Sequence, residues 1–438
     1  MYQIMNILFI LIAMISTGSC SYKDKDTNTK SESSQIVDID IEKGLKQEIG
    51  VLNLSDAVSS LEIVPLEFTD KSAIRDIENV GVTENDIVTT FGHQLFHFSR
   101  DGKFLNEIGR RGEGPEEYRA AYFCLIHGDN KELYVWTGRG IKVYNFDGSF
   151  KRVASKLATN EMFSGFHPKL LYFSNHIFLH DILPLDSPKN EFWSLSLVDS
   201  SFNMQKKFYN PDYVVRFPDM LKEENRLSHL YLKNYWTEEP LNANYYDNTF
   251  KIKYYGVDTI YQFNDEKLRF EATYSLSFGE RPAFEMSHSW IKEPAFFTYL
   301  WVYDFYEVKD FIYFLAGKGD TVYTIRYNKQ NREIKVRKDK SKIREKLFPG
   351  TNLTHRRLNR EFKLTNDISG GVDFVVDYKT PEGYWISVCQ PSDLLEKINV
   401  EELKKSEVKD RAARDKLVKI LTNLSEEDNP VLFIAKLK

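Results

Sequence analysis

The ten residues GRRGEGPEEY (109–118) gather three glycines, two arginines and three glutamates. Glycine lets the backbone bend where a β-carbon would forbid it, and the N–H groups of such a bend can converge on a phosphate or carboxylate. Arg110 and Arg111 lie inside the stretch and Arg139 lies beyond it, so an acidic ligand is the chemistry it could serve. A phosphate-cradling loop, however, needs Gly-Lys-Ser/Thr followed by a helix, and a dinucleotide loop needs G-x-G-x-x-G within a βαβ unit. Here Pro115 and strand-like residues follow instead. The stretch therefore reads first as a corner between strands, with Arg110, Arg111 and Arg139 as candidate ligand contacts at one opening of the fold.

Other reactive side chains carry less. His93 and His97 have H-x-x-x-H spacing, as do His176 and His180. On strands of ~3.3 Å per residue each pair sits about 13 Å apart, too far to share one metal ion. No G-x-S-x-G elbow is present, and Cys124 and Cys389 lie in apolar runs where a thiol behaves as a small hydrophobe. No metal or cofactor is expected. The aromatic stretch NYWTEEPLNANYYDN (234–248) falls in an apparent insertion. There Tyr235, Trp236, Tyr245 and Tyr246 either tuck against the framework or stack on a sugar or a partner's side chain.

What must position these residues is a repeat. LFHFSRDGKFLNEIG (95–109) and IKVYNFDGSFKRVAS (141–155) both run apolar alternation into Asp-Gly and then Phe, 46 residues apart. Alternation around Asp-Gly is a strong hairpin signal. A third copy, LSLVDSSFNMQ, keeps Asp199 and Phe202, and GVDTIYQFND (256–265) and KGDTVYTIRYN (318–328) share a later start. Counting the strand before each hairpin gives six units of about four strands, the size of propeller blades. The insertions 209–245 and 329–365 lengthen the later connections. Residues 400–424 instead place Leu403, Val408, Leu417, Ile420, Leu421 and Leu424 mostly on one helical face. They read as a helical insertion in the sixth unit, about 392–428, after which 430–438 returns as a strand. SLEIVPLEF (60–68) is expected to pair into that unit and close the circle. The expected fold class is all-β, a six-bladed β-propeller with a C-terminal helical insertion in the last blade, over 46–438.

The N-terminus reads as an address. Its apolar run Ile7–Ile15 falls short of the about 20 residues a membrane span needs. It has the length of a secretory signal core and ends in Thr-Gly-Ser-Cys. This resembles a bacterial lipoprotein signal (1–19) with Cys20 as the lipidated residue, although no Lys or Arg precedes the run and Thr17 stands where an aliphatic residue is usual. Residues 20–45 are expected to form a disordered tether. A net charge of −5 from 59 basic and 64 acidic residues shows no basic excess, so nucleic acid is not an expected partner.

The "IG-R-x-G-x-GP-x-EY" stretch after a D-G-K-F hairpin is similar to six-bladed β-propeller lipoproteins of Bacteroidetes, relatives of NHL-type propellers. That resemblance spans roughly 50–390 and the final strand. It implies the fold, and no general catalytic motif. The functional expectation is a lipid-anchored exported propeller at the outer membrane, periplasmic or surface-exposed, acting as a binding or interaction module for a protein or glycan. The alternatives are a lyase or hydrolase with its site at the channel mouth, and a structural component of a surface nutrient-uptake assembly.

Overall fold

A computed structural model of the chain describes residues 36–47, 49–121, 123–127, 131–137, 140–156, 169–180, 193–209, 241–254, 257–280, 294–347 and 354–438. Its strands form six antiparallel blades arranged as a β-propeller. Blade I comprises Asn79–Val82, Asp86–Phe91, Gln94–Ser99 and Phe104–Ile108, and blade II comprises Phe123–His127, Glu132–Trp136, Gly140–Asn145 and Phe150–Lys156. Blade III follows with Lys169–Phe173, His176–His180, Trp193–Val198 and Met204–Tyr209. Blade IV holds Leu241–Tyr246, Thr249–Tyr254, Thr259–Asn264 and Arg269–Ser277, and blade V Trp301–Glu307, Phe311–Lys318, Thr321–Asn328 and Ile334–Lys340.

Blade VI is built from both ends of the chain. Tyr378–Lys379, Tyr384–Cys389 and Val431–Leu437 supply its inner three strands, and Val58–Pro65 pairs antiparallel with Val431–Leu437 as its rim. The pairing suits the residues: Ile63, Val64, Leu432, Phe433 and Ile434 are all buried, and β-branched and aromatic side chains fill a pleated interface well. The expected closure by 60–68 and 430–438 is thus the observed one, with the N-terminal partner beginning at Val58.

The chain before this strand is also structured. Val37–Asp40 adds a parallel fifth strand to blade IV, beside Tyr274–Ser277. The chain then bridges to blade V at Ile49↔Val336 before it reaches blade VI. Residues 36–45, assigned from composition to the tether, therefore belong to the propeller. Ile39 and Ile41 bury against blades IV and V and provide the apolar anchor that a tether would lack.

Hairpin chemistry explains the repeat. Ser99–Lys103 and Asn145–Ser149 close with the same two backbone bonds, and Gly102 and Gly148 take the left-handed φ of 92° and 90°. A β-carbon on Gly102 would also strike the Pro65 carbonyl of blade VI, and one on Gly148 the Glu107 carbonyl of blade I. Each hairpin thus seats its glycine on the rim strand of the preceding blade. In the third copy the turn Asp199–Asn203 closes identically, but Phe202, at φ 62°, takes the glycine place. Phe202 corresponds to Gly102, not to Phe104 as the aligned letters suggested, and it offsets its strained backbone by burying its ring near Tyr134.

Two other assignments change. Tyr245 and Tyr246 belong to the innermost strand of blade IV rather than to an insertion, and 329–365 contains the rim strand of blade V. The helical insertion is present as Pro391–Lys397, Val400–Lys405 and Arg411–Asn423, the last two capped by the Asn399 and Asp410 side chains. Leu394, Ile398, Leu403, Leu417 and Leu421 pack into the same core as Trp385 and Phe433.

Phe433 therefore joins the closing strand to that core. Phe433→Ala should cost about 3–5 kcal/mol and lower the thermal midpoint in one transition, followed in parallel by far-UV dichroism and tryptophan fluorescence. Two separated transitions would show that blade VI melts without the others.

Candidate functional site

The inner strands converge on one cavity of about 240 Å³ at the propeller axis, and every blade contributes to its wall. Asn79 comes from blade I, Cys124 from II, Tyr172 from III, Asn242 from IV, Asp304 from V and Lys379 from VI. A second cavity of about 410 Å³ shares Tyr172, Tyr245, Pro381 and Glu382 with the first, so the channel opens onto the face that carries the first hairpin of blades III, IV and VI.

Inter-blade polar bonds hold these walls. Asn79 Nδ2 donates to the Cys124 carbonyl at 3.0 Å, linking blades I and II. The Glu307 N–H donates to Asn244 Oδ1 at 3.2 Å, linking IV and V. The Glu307 carboxylate is buried with Lys251 at 2.7 Å, Lys329 at 3.2 Å and the Tyr274 hydroxyl at 3.1 Å. Losing one partner of such a buried group would strand a charge, which costs several times more than the pair contributes. Tyr378 donates its hydroxyl to the Ile77 carbonyl at 2.8 Å and joins VI to I.

Two charged features face the cavity. Lys379 Nζ donates to both carboxylate oxygens of Asp304 at 3.0 Å and lies 4.3 Å from the centre of the Tyr306 ring. Both side chains of that pair are mostly buried. Asp377 lies two residues before Lys379 on the chain and accepts the Val388 N–H at 2.8 Å. The residue is exposed at its surface, while the protein packed around the carboxyl displaces part of its solvent. That burial, reinforced by nearby Glu361 and opposed by the Val388 bond, pushes the group up to about 6. Cys124 is not activated, since burial raises its thiol to about 12. No group of three or more potential metal ligands is present among the described residues.

Of the residues singled out in the sequence, Tyr245 lines both cavities and Tyr246 the second, while the glycine-rich loop and the histidine pairs lie elsewhere. GRRGEGPEEY is the connection from the rim of blade I to the inner strand of blade II, as expected. Its backbone N–H does meet a carboxylate, but one of its own: Gly114 donates to Glu117 Oε2 at 2.9 Å. The loop is closed by Gly112 N–H to Tyr118 O and Tyr118 N–H to Arg110 O, both 3.0 Å, and Lys142 caps the Pro115 and Glu117 carbonyls. Arg110 and Arg111 are exposed, and neither lines the channel. Glu113 pairs with Arg119 rather than with either of them. Arg139, Tyr235, Trp236 and Cys20 lie outside the described residues. The histidine pairs are divided among neighbours: His97 binds Asp86 at 2.9 Å, and His176 reaches Asp265 of the next blade at 2.6 Å.

Asp304, Asp377 and Lys379 escaped sequence reasoning. The signal they offer is slight: two charged residues in each of the mainly apolar runs WVYDFYE and FVVDYK.

A family model matches residues 36–436, nearly the whole propeller. The chain belongs to the family described as a domain of unknown function, DUF4934. The fold of this DUF4934 member is shared with a Bacteroides fragilis protein described as exported, at 15% identity and a TM-score of 0.58, over 92% of this chain and 100% of that one. A member of the DUF4221 family from Bacteroides vulgatus matches at 11% identity and a TM-score of 0.43, over 87% of this chain and 97% of that one. No curated protein matches in sequence.

In the loop, the left-handed position is Gly109, at φ 67°, and not Gly112 or Gly114. A β-carbon there would come within 2.7 Å of the Tyr118 ring and 2.8 Å of the Tyr144 ring. The Tyr118 hydroxyl donates to Ile108 O and the Tyr144 hydroxyl to Glu116 O, so neither ring is free to yield. Gly109→Ala should therefore cost about 1–3 kcal/mol or more, read as a lowered thermal midpoint. Arg110→Ala combined with Arg111→Ala should stay within about 0.5 kcal/mol of the parent.

Proposed function

We propose that this protein is an exported, lipid-anchored β-propeller of NHL-like kinship that serves as a binding module for a glycan or protein ligand, with the axial channel as its ligand seat. The observation that carries the reading is the cavity to which every blade contributes, whose wall presents hydrogen-bonding and charged groups and a Cys124 thiol that burial keeps protonated. Small-molecule sites are concave, with a few convergent polar groups fixing orientation, and this cavity has that form. Export and anchoring draw support from the Ile7–Ile15 run ending at Cys20 and from the exported character described for the Bacteroides fragilis protein of the same fold. The lipobox-like residues before Cys20 support an outer-membrane address, facing the periplasm or the surface.

Two measurements on full-length protein in a Bacteroides host test this. Cys20→Ala should move the protein from the membrane fraction to the soluble fraction, because lipidation supplies the anchor. A glycan and peptide array should yield ligands that are recovered chemically unchanged after long incubation. A Cys20→Ala variant still membrane-bound after a carbonate wash would contradict the anchor. Cleaved or eliminated ligand would replace the binding module by an enzyme.

A further inference from the structure

We propose that the channel cavity takes a compact molecule bearing a protonated primary amine, with Asp377 receiving the ammonium group and an amino sugar as the glycan of that type. This rests on the channel being the ligand seat. Among the charged groups of the wall, Asp304 is already neutralised by Lys379 through both carboxylate oxygens. Among the described residues, Asp377 has the Val388 N–H and no cation. The same wall contains an acceptor without a donor among the described residues: Asn242 is 5% exposed, and its Oδ1 has no hydrogen-bond partner there. Buried acceptors in folded proteins are almost always satisfied, so Asn242, a residue of the cavity wall, has capacity for one further donor, from water or from a ligand. An ammonium is all donor, with three N–H bonds and no lone pair.

The wall already shows how it holds such a group. Lys379 Nζ lies between the Asp304 oxygens and over the Tyr306 ring, which combines carboxylate and aromatic-face recognition. A cavity of about 240 Å³ corresponds to roughly eight waters at about 30 Å³ each. That suits a single sugar ring. An anionic ligand would meet Asp377 and Glu382 unfavourably, and the glycine-rich loop that could have held one is filled by Glu117.

The pH dependence follows from what surrounds Asp377. Glu361, held below its usual range by Lys363 against its own burial, is ionised across the window. Tyr378 is pushed up to about 12 and Cys389 to about 11, so both are neutral. The Asp304–Lys379 ion pair lies in the same wall, and Glu382 sits toward the mouth. Asp377, near 6, is thus the group that changes charge in mildly acidic solution. Its folded value lies above the ordinary 3.8, so the fold favours the protonated acid. Stability from this group is fully present below about 4 and declines as pH rises to about 6. Amine binding runs the other way and needs the carboxylate.

The test is calorimetric titration of the full chain with glucosamine, glucose and N-acetylglucosamine at about pH 7.5 and about pH 5. Glucosamine should bind at least about tenfold more tightly than either neutral sugar, and weaken about fivefold or more at the lower pH. Asp377→Asn should lose about tenfold or more of that affinity without lowering the thermal midpoint, which the removal of a disfavoured charge should raise at the higher pH, and Asp377→Glu should retain part of the affinity. Equal binding of glucose, full affinity in Asp377→Asn, affinity indifferent to pH, or no heat with glucosamine would each overturn the proposal. If array ligands still bind in those cases, the binding module stands and only the ammonium assignment falls. If the array ligands are turned over, the module reading falls with it.

Discussion

The antiparallel pairing of Val58–Pro65 with Val431–Leu437 is the constraint on which the rest depends. A propeller is a circle of sheets, each needing a neighbour on both faces to bury its apolar surface, and an open circle exposes two of them. Here the last blade is completed by a strand from near the start of the chain, more than 360 residues away in sequence. The pairing is reinforced sideways. The Glu67 N–H donates to Gly102 O at 2.8 Å, and the Arg100 guanidinium grips the Glu62 carboxylate at 2.8 and 2.9 Å, which ties the rim of blade VI to blade I. Behind that strand, 36–57 runs along blades IV and V with Ile39, Ile41, Leu52 and Leu54 fully buried, so closure is continuous with a strap spanning three blades.

Closure also makes the channel. Tyr378 meets Ile77 only because blade VI is brought against blade I, and that contact sets Asp377 and Lys379 into the same wall as Asn79. The Asp304–Lys379 pair crosses from blade V to VI in the same way. The polar groups of the site are thus also links between blades, and the geometry of the cavity is inherited from the completeness of the circle. Such an arrangement is preorganised: the wall groups are held by bonds already made, so a ligand is not required to order them.

Much of the fold was legible because its signals are local. Asp101-Gly102 and Asp147-Gly148 announce hairpins through a backbone conformation that glycine tolerates best, and the closing strands announce themselves by apolar, β-branched runs with no other partner. Where the local signal decayed, the reading slipped. Phe202 occupies a glycine conformation because burial of its ring compensates, which no pattern of letters conveys. Tyr245 and Tyr246 looked like loop aromatics beside a polar stretch, yet pairing with Phe250 and Thr249 makes them strand residues. The candidate site was almost wholly illegible. Its groups are single polar positions on six strands far apart in sequence, and only the tertiary circle brings them together. Conversely, the arginines and glycines of 109–118 were conspicuous because they are clustered, but that cluster serves a corner whose carboxylate partner is internal.

Native-state hydrogen exchange on the backbone amides of 58–65 and 431–437 tests the central claim most directly. If the two strands lock the circle, the hydrogen-bonded amides of both should exchange only through global unfolding, with equal opening free energies that match the denaturant-derived stability. Exchange of 58–65 through a local opening several kcal/mol below that of 431–437 would contradict the account, because the circle would then persist without its closing strand.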